Sequence, residues 1–257
     1  MSKELNNQEQ LKTEFQSGIV EDLFWAQYSF FVYRLIAENS HELNSALKTD
    51  EGMRHQMNYH QTTAQQHCVL QLAKVFEKRD KNFPNRCISR TLDSLRIHAL
   101  DFDPNLYESE DIKLLRTFIL GKKGNMPINN TEDLVKLMNK ALNSRQIQSS
   151  IKNLMVVRNK YIAHNEKLDS SSGNDSFWQD FELLLRFGRL LRNVISQHLF
   201  YTTYSWSDSI GDEVVDNYFR IELYWIIKQI EDIVGKEKII LKLPKWSFSE
   251  KSEPRKI

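Results

Sequence analysis

The chain has few of the residues that interrupt helices and strands or form cross-links, with 2 Cys, 5 Pro and 8 Gly among 257 residues. Two cysteines are too few for a secreted disulfide scaffold, and Cys68 and Cys87 lack the CxxC spacing of a redox or zinc site. The scarcity of Pro and Gly, together with 40% hydrophobic residues, excludes the collagenous, low-complexity and disordered classes. The sequence therefore predicts an ordinary globular protein whose cysteines stay reduced.

Long apolar runs and an excess of one charge are also absent. The longest runs, such as Leu183–Leu185, fall far short of the roughly 18 consecutive apolar residues of a membrane-spanning helix, and the polar N-terminus lacks a signal-peptide pattern. The 35 Lys and Arg nearly balance the 34 Asp and Glu, for a net charge of +1. We therefore expect a cytoplasmic protein without membrane contact, in which any nucleic-acid binding is local.

Apolar residues recur with the 3.6-residue period of an α-helix through most of the chain, and sustained period-two alternation is absent. The sequence predicts an all-α fold that opens with two long antiparallel helices, Ser17–Leu47 and Asp50–Lys78, the second capped by Asp50. Further helices are expected at Ser89–Ala99, at Glu108–Leu120, at Glu132–Asn143 with Thr131 as cap, at Ser144–Leu168, from a cap at Asp175 or Ser176 to Tyr201, and at Asp212–Val234.

No internal repeat or linker interrupts this helical pattern. Residues 1–205 are therefore expected to form one helical domain, and residues 206–257 a C-terminal extension packed on it. The extension comprises the last predicted helix and a tail, in which Ile239–Leu243 alternates weakly enough to form a short strand or a docked segment.

The common catalytic signatures are missing, including the glycine-rich nucleotide-binding motifs, H-E-x-x-H and G-x-S-x-G. What remains is the string V-R-N-K-Y-I-A-H-N at positions 157–165, where polar residues interrupt an apolar helix. Around it, Lys140–Lys167 contains six basic residues and a single acid, Glu166, a local charge of 6 − 1 = +5. The nearly neutral chain therefore concentrates positive charge in this segment.

Arg158 and His164 in this string have the chemistry that phosphodiester cleavage without a metal requires. A histidine exchanges a proton near neutral pH, and a guanidinium pairs bidentately with a phosphate. Six residues span about 240° around an α-helix, so both serve one pocket only if Arg158 reaches across or a second chain supplies one group. The structural alternative pairs Arg158 with a carboxylate from a neighbouring helix and leaves His164 as a helix C-terminal cation, and the spacing alone favours it.

The string R-N-K-Y-I-A-H at positions 158–164 resembles the signature of the HEPN superfamily, in which an arginine and a polar residue precede a histidine. Its context is similar to the type U branch of phage abortive-infection proteins. Trp25–Leu35, and Cys68–Lys78 followed by Asn85–Arg90, resemble the early helices of that branch. The resemblance covers residues 15 to 205 and implies a HEPN-like helical bundle. It also implies a metal-independent endoribonuclease, a toxin or antiviral effector, that leaves 2′,3′-cyclic phosphate and 5′-hydroxyl ends.

The resemblance implies a role for each polar residue of the string. Arg158 contacts the scissile phosphate, His164 acts in proton transfer, and Asn159 occupies the polar position beside the arginine. Lys160 is expected to help bind the substrate. The implied partners are RNA, a second copy of the chain in a homodimer and a cognate antitoxin or inhibitor protein, and no metal or cofactor is implied. The alternative is a catalytically silent HEPN-like scaffold that binds a nucleotide or a protein partner through the same surface.

Two other features suggest binding sites. His55, His60 and His67 lie on the second predicted helix, where His60 and His67 share a face and Cys68 is nearby. Carboxylates at metal-ligand spacing are missing, so surface histidines are the simpler interpretation. The segment Gly121–Gly124 could hold a phosphate, but no strand precedes it and a flexible interhelical loop is favoured. Neither feature displaces the string around Arg158 as the candidate site.

Overall fold

A computed structural model describes residues 2–78, 87–97, 109–119, 126–163 and 174–202, and every regular element in these ranges is a helix. The predicted all-α class is thereby confirmed for the described residues. The elements are α1 (Ser2–Phe15), a π-helix (Gln16–Val20), α2 (Glu21–Glu38), α3 (Ser40–Ala46), α4 (Glu51–Phe76), α5 (Ile88–Ile97), α6 (Glu110–Thr117), α7 (Thr131–Leu142), α8 (Arg145–Val157), a further π-helix (Arg158–Ala163) and α9 (Asn174–Leu199).

The first long helix differs from its prediction at both ends. The apolar pattern predicts no helix before Ser17, yet α1 precedes it. The segment is mostly polar, and among residues 8–15 only Leu11 and Phe15 are buried. At the other end, the buried Asn39 separates α2 from α3. Its side-chain amide donates to the Leu35 carbonyl oxygen at 2.8 Å, a local bond of the kind that competes with regular helix geometry.

The predicted N-terminal capping residue is correct for one helix and wrong for two others. Asp50 caps α4 as predicted, since its Oδ1 accepts from the Met53 amide at 2.9 Å. The cap of α7 is Asn130 and not Thr131, because the Asn130 Oδ1 accepts from the Asp133 amide at 2.9 Å while Thr131 is buried as the first helical residue.

The second wrong prediction of a capping residue concerns α9. This helix already begins at Asn174, so Asp175 and Ser176, the two predicted caps, lie within its first turn. The helix ends at Leu199, close to its predicted end at Tyr201.

The chain divides into two compact units, Met1–Ala26 with Val69–Thr203, and Gln27–Cys68 with Tyr204–Ile257. The predicted extension 206–257, with its helix and short strand, lies outside the described residues, and so do Gly121–Gly124. The predicted boundary near residue 205 therefore stays a prediction. In the ranges that the structure describes, no helix has the length and apolarity needed to cross a membrane.

The first unit is built around α9, which lies against α6 and α8. Its buried face includes Phe187, whose ring packs on Phe76 and Phe118 with centroids 6.4 and 5.1 Å away. Beside it, Gly188 allows a close approach to α2, because a Cβ atom there would lie 2.6 Å from a Leu23 methyl group. A hydrophobic core thus fixes α9, and α9 in turn supports the helix that leads to the candidate site.

Candidate functional site

The candidate site begins with α8, whose buried residues form one face of the helix. Ile147, Ser150, Leu154 and Val157 follow one another at spacings of three and four and are buried, and this helix packs against α9. The opposite face of α8 is polar and exposed. The orientation of α8, and therefore of the residues that continue it, is set by this packing.

A partly buried polar contact adds to the packing between α8 and α9. Asp180 of α9 accepts hydrogen bonds from two side chains of α8, the Ser150 hydroxyl at 2.6 Å and the Asn153 amide at 2.7 Å. The two donors bind different carboxylate oxygens, and Ser150 is 1% exposed. Hydrogen bonds to a charged acceptor are about twice as strong as neutral ones, so Asp180 holds the middle of α8 at a fixed register on α9.

The string predicted to carry the site is wound differently from an ordinary helix. At Arg158 the α-helix gives way to the π-helix Arg158–Ala163. Because hydrogen bonds in a π-helix join residues five apart, α-helical angles do not apply between Arg158 and Ala163, and the angle to His164 stays a prediction. π-Helical turns are rare and frequently mark functional sites.

Arg158 makes the central contact of the site. Its Nη1 donates to the Glu77 carboxylate at 2.8 Å, and Glu77 follows directly after α4. The two side chains are 32% and 39% exposed, so the pair is partly open to solvent. The structural alternative predicts such a carboxylate partner, and Glu77 supplies it. One bond to Nη1 engages only one of the five N–H donors of a guanidinium.

The neighbours of Arg158 complete the described part of the string. Asn159 and Lys160, on the next two positions of the π-helix, are both exposed. The structure therefore brings three of the four predicted site residues into a single turn. The fourth, His164, lies outside the described residues, and so does the acid Glu166.

Glu77 and Asp180 are the two residues that sequence reasoning missed. Glu77 lies 81 residues before Arg158, and Asp180 lies 30 residues after Ser150. No local pattern reveals a contact over such separations, because it depends on how the helices pack.

The alternative metal site gains no support from the described residues. His67 Nδ1 is hydrogen-bonded to the Ser29 hydroxyl at 2.8 Å, and His60 is exposed. Cys68 is fully buried, and this burial raises the pKa of its thiol. In the part of the chain that the structure describes, no three His, Cys, Asp or Glu side chains form a group that could hold a metal ion.

Taken together, these contacts define a partly exposed, positively charged π-helical turn whose arginine is held by a carboxylate. Comparisons with models of known protein families, with curated proteins and with solved structures found no match to this chain. The HEPN resemblance and the roles that it implies for Arg158, Asn159, Lys160 and His164 therefore stay predictions from the sequence.

Proposed function

We propose that the protein is a metal-independent endoribonuclease of the HEPN type, acting in the cytoplasm as a toxin or antiviral abortive-infection effector. The observation that carries the proposal is the placement of Arg158. A partly exposed guanidinium, bound to Glu77 at 2.8 Å, starts a π-helical turn that also presents Asn159 and Lys160. A fixed cation at the surface is the group needed to receive a phosphodiester.

In the proposed reaction, His164 takes a proton from a ribose 2′-hydroxyl, and the 2′-oxygen attacks the adjacent phosphorus. The bond from phosphorus to the 5′-oxygen of the next nucleotide breaks, that oxygen takes a proton from solvent, and the protonated His164 returns its proton to solvent. The products are a 2′,3′-cyclic phosphate and a 5′-hydroxyl, so no water is consumed. Arg158 pairs with the non-bridging oxygens as charge develops on them, and Lys160 helps to bind the strand.

Glu77 is assigned a positioning role in this proposal. Its carboxylate accepts from Nη1 of Arg158 and so restricts the rotamers of a long side chain. A guanidinium held in one orientation loses less conformational entropy when it binds a phosphate. The other donors of the guanidinium fork can then address the substrate.

The proposal includes a homodimer in which the two sites face each other. Mixing Arg158→Ala and His164→Ala subunits tests this arrangement. If Arg158 of one subunit works with His164 of the other, half of the mixed dimers' sites are intact, and about a quarter of the wild-type activity returns after random exchange. Sites built from one subunit alone would give no recovery.

The direct test is cleavage of a mixed RNA pool in EDTA by the wild type and by His164→Ala, with the product ends identified. We expect wild-type cutting to cyclic-phosphate and 5′-hydroxyl ends, and a folded His164→Ala variant that does not cut. Lys48→Gln serves as a control, since Lys48 is an exposed residue far along the sequence from the string. Cutting that persists in His164→Ala, or that produces 3′-hydroxyl ends, would overturn the proposal.

The second candidate is a catalytically silent scaffold that binds a nucleotide or a protein partner such as an antitoxin through the same surface. The Arg158–Glu77 pair favours it in one respect, because the carboxylate already neutralises the cation. A scaffold would show no cleavage in either protein while both stay folded. Its ligand binding would weaken in Arg158→Ala and change little in His164→Ala unless the ligand contacts the histidine.

A further inference from the structure

The sequence around the site contains an acid-free stretch. Residues 134–165 include no Asp or Glu, whereas the whole chain has 34 acids among 257 residues. The same stretch contains six basic residues, Lys136, Lys140, Arg145, Lys152, Arg158 and Lys160. Such a stretch has no acid of its own to neutralise its cations.

The exposed face of α8 arranges part of this charge in a row. The residues that define this face, here named the α8 stripe, are the exposed side chains Arg145, Ser149, Lys152 and Val156. Their spacings of four, three and four place them within about 60° of one another around the helix. The stripe lies opposite the buried face that contains Leu154 and packs on α9.

The cations of the stripe differ from other helix-surface lysines of the protein. Lys113 of α6 and Lys136 of α7 are paired with acids of their own helices, at 2.8 Å to Glu110 and 2.9 Å to Glu132. Arg145 and Lys152 make no ion pair or hydrogen bond with any residue that the structure describes. They therefore offer their charge to an external anion.

We propose that the α8 stripe binds the sugar-phosphate backbone of an RNA strand and supplies affinity for an extended substrate. That the nucleic acid is RNA rests on the proposed function. The observations that point to a polyanion are charge complementarity and the spacing of Arg145 and Lys152, seven residues or about 10 Å along the helix axis. Ser149 between them adds a hydroxyl of the kind that contacts phosphate oxygens.

A lipid surface fits the stripe less well. Helices that lie in a membrane interface present large apolar side chains beside their basic residues. On the stripe the single apolar residue is Val156, which is 39% exposed. The stripe therefore has the charge for binding anions but lacks the apolar anchor for a bilayer.

The stripe and Arg158 have separate tasks. Arg158 follows Lys152 by six residues, which places it about 120° away around the helix, and its side chain is bound to Glu77. An RNA strand bound to the α8 stripe reaches Arg158 only by passing around the end of α8, where Asn159 and Lys160 are exposed. Loss of the stripe should therefore raise KM and leave kcat nearly unchanged.

The test measures binding of a labelled 2′-O-methyl RNA, which cannot be cleaved by attack of its own 2′-hydroxyl. The double variant Arg145→Gln/Lys152→Gln is compared with Lys48→Gln/Lys113→Gln, which loses the same charge from other exposed positions. At about 50 mM salt we expect the stripe variant to bind at least about tenfold more weakly than the control. The slope of log K against log salt should become shallower by about 1.4, or about 0.7 for each lost phosphate contact.

Three results of this experiment would overturn the stripe proposal. Equal losses in both double variants would indicate a general charge effect, and unchanged binding would remove the stripe from the interface. Failure of the wild type to bind this RNA would do the same, whether or not it binds vesicles of anionic lipid. If the wild type binds but never cleaves RNA and the stripe variant binds more weakly, the stripe proposal stands while the ribonuclease proposal fails. Thermal unfolding of each variant confirms that it is folded.

Discussion

Two polar contacts hold the segment from α8 to the π-helix, and they differ in burial. In the middle of α8, the side chains of Ser150 and Asn153 donate to Asp180 of α9 at 2.6 and 2.7 Å, and Ser150 is 1% exposed. At the end of α8, Arg158 donates to Glu77 at 2.8 Å with about a third of each side chain exposed. The distances are nearly equal, so distance alone does not distinguish the two contacts.

Burial does distinguish them, because it decides what happens when a partner is lost. The buried Ser150 hydroxyl cannot turn to water when its acceptor is lost, so its loss costs the full desolvation penalty. A partly exposed guanidinium is solvated once its carboxylate is removed, so the pair adds little to stability. The first contact therefore supports the fold, whereas the second orients the Arg158 side chain and adds little to stability.

The largest effect is expected for Arg158→Ala. Removing a charged group that stabilises a transition state typically reduces kcat by about 10²–10³. The free energy of unfolding should change by less than about 1 kcal/mol, because the ion pair is partly exposed. Cleavage assays and urea unfolding of the same preparation measure both quantities. A loss of several kcal/mol with unchanged activity would instead show that Arg158 is structural.

The next largest effect concerns stability. Asp180→Ala removes the acceptor of two hydrogen bonds and orphans the buried Ser150, which should lower the free energy of unfolding by about 1–3 kcal/mol. Gln179→Ala, at the exposed neighbouring position, is the matched control and should be nearly neutral. Equal stability of the two variants in urea unfolding would contradict the structural role assigned to Asp180.

A smaller effect is expected for Glu77. Glu77→Ala frees the Arg158 side chain and should lower kcat by up to about tenfold, with a stability change below about 1 kcal/mol. Glu77→Gln keeps an acceptor for Nη1 and should restore most of the activity. Comparison of kcat and KM for the two variants measures this, and a Gln variant as impaired as the Ala variant would argue against positioning by hydrogen bonding.

The smallest effect is expected at Lys113, which makes an ion pair of the same 2.8 Å length as that of Arg158 but on the open surface of α6. Lys113→Gln should change the free energy of unfolding by less than about 0.5 kcal/mol and leave cleavage unchanged. A larger destabilisation in urea would show that length matters more than burial in these contacts.

The sequence predicts the helices well where a long apolar stripe is buried. The stripes of α8 and α9 reveal their elements, and Asp50 is a correct cap of α4 because its bond to Met53 is local. The sequence prediction fails for α1, where only Leu11 and Phe15 are buried among residues 8–15. It also fails for the break at Asn39, which depends on one side-chain hydrogen bond to Leu35.

The candidate site is predictable only in part. Arg158, Asn159 and Lys160 are adjacent in sequence, so any helix brings them into one turn. The winding of that turn and the contact with Glu77 depend on tertiary packing over 81 residues and cannot be read from spacing. The same limit hides Asp180, whose donors lie on a different helix.

The central claim is that the turn at Arg158 supports RNA cleavage by attack of a 2′-hydroxyl. The most direct measurement uses an RNA oligonucleotide that the wild type cuts in EDTA and the same oligonucleotide with a 2′-O-methyl group at the cut nucleotide. We expect cutting at the linkage that follows the 2′-O-methyl nucleotide to stop. Cutting at unmodified linkages should continue and leave cyclic-phosphate ends. Continued cutting at the modified linkage would contradict the central claim, because no 2′-hydroxyl would be present there to attack.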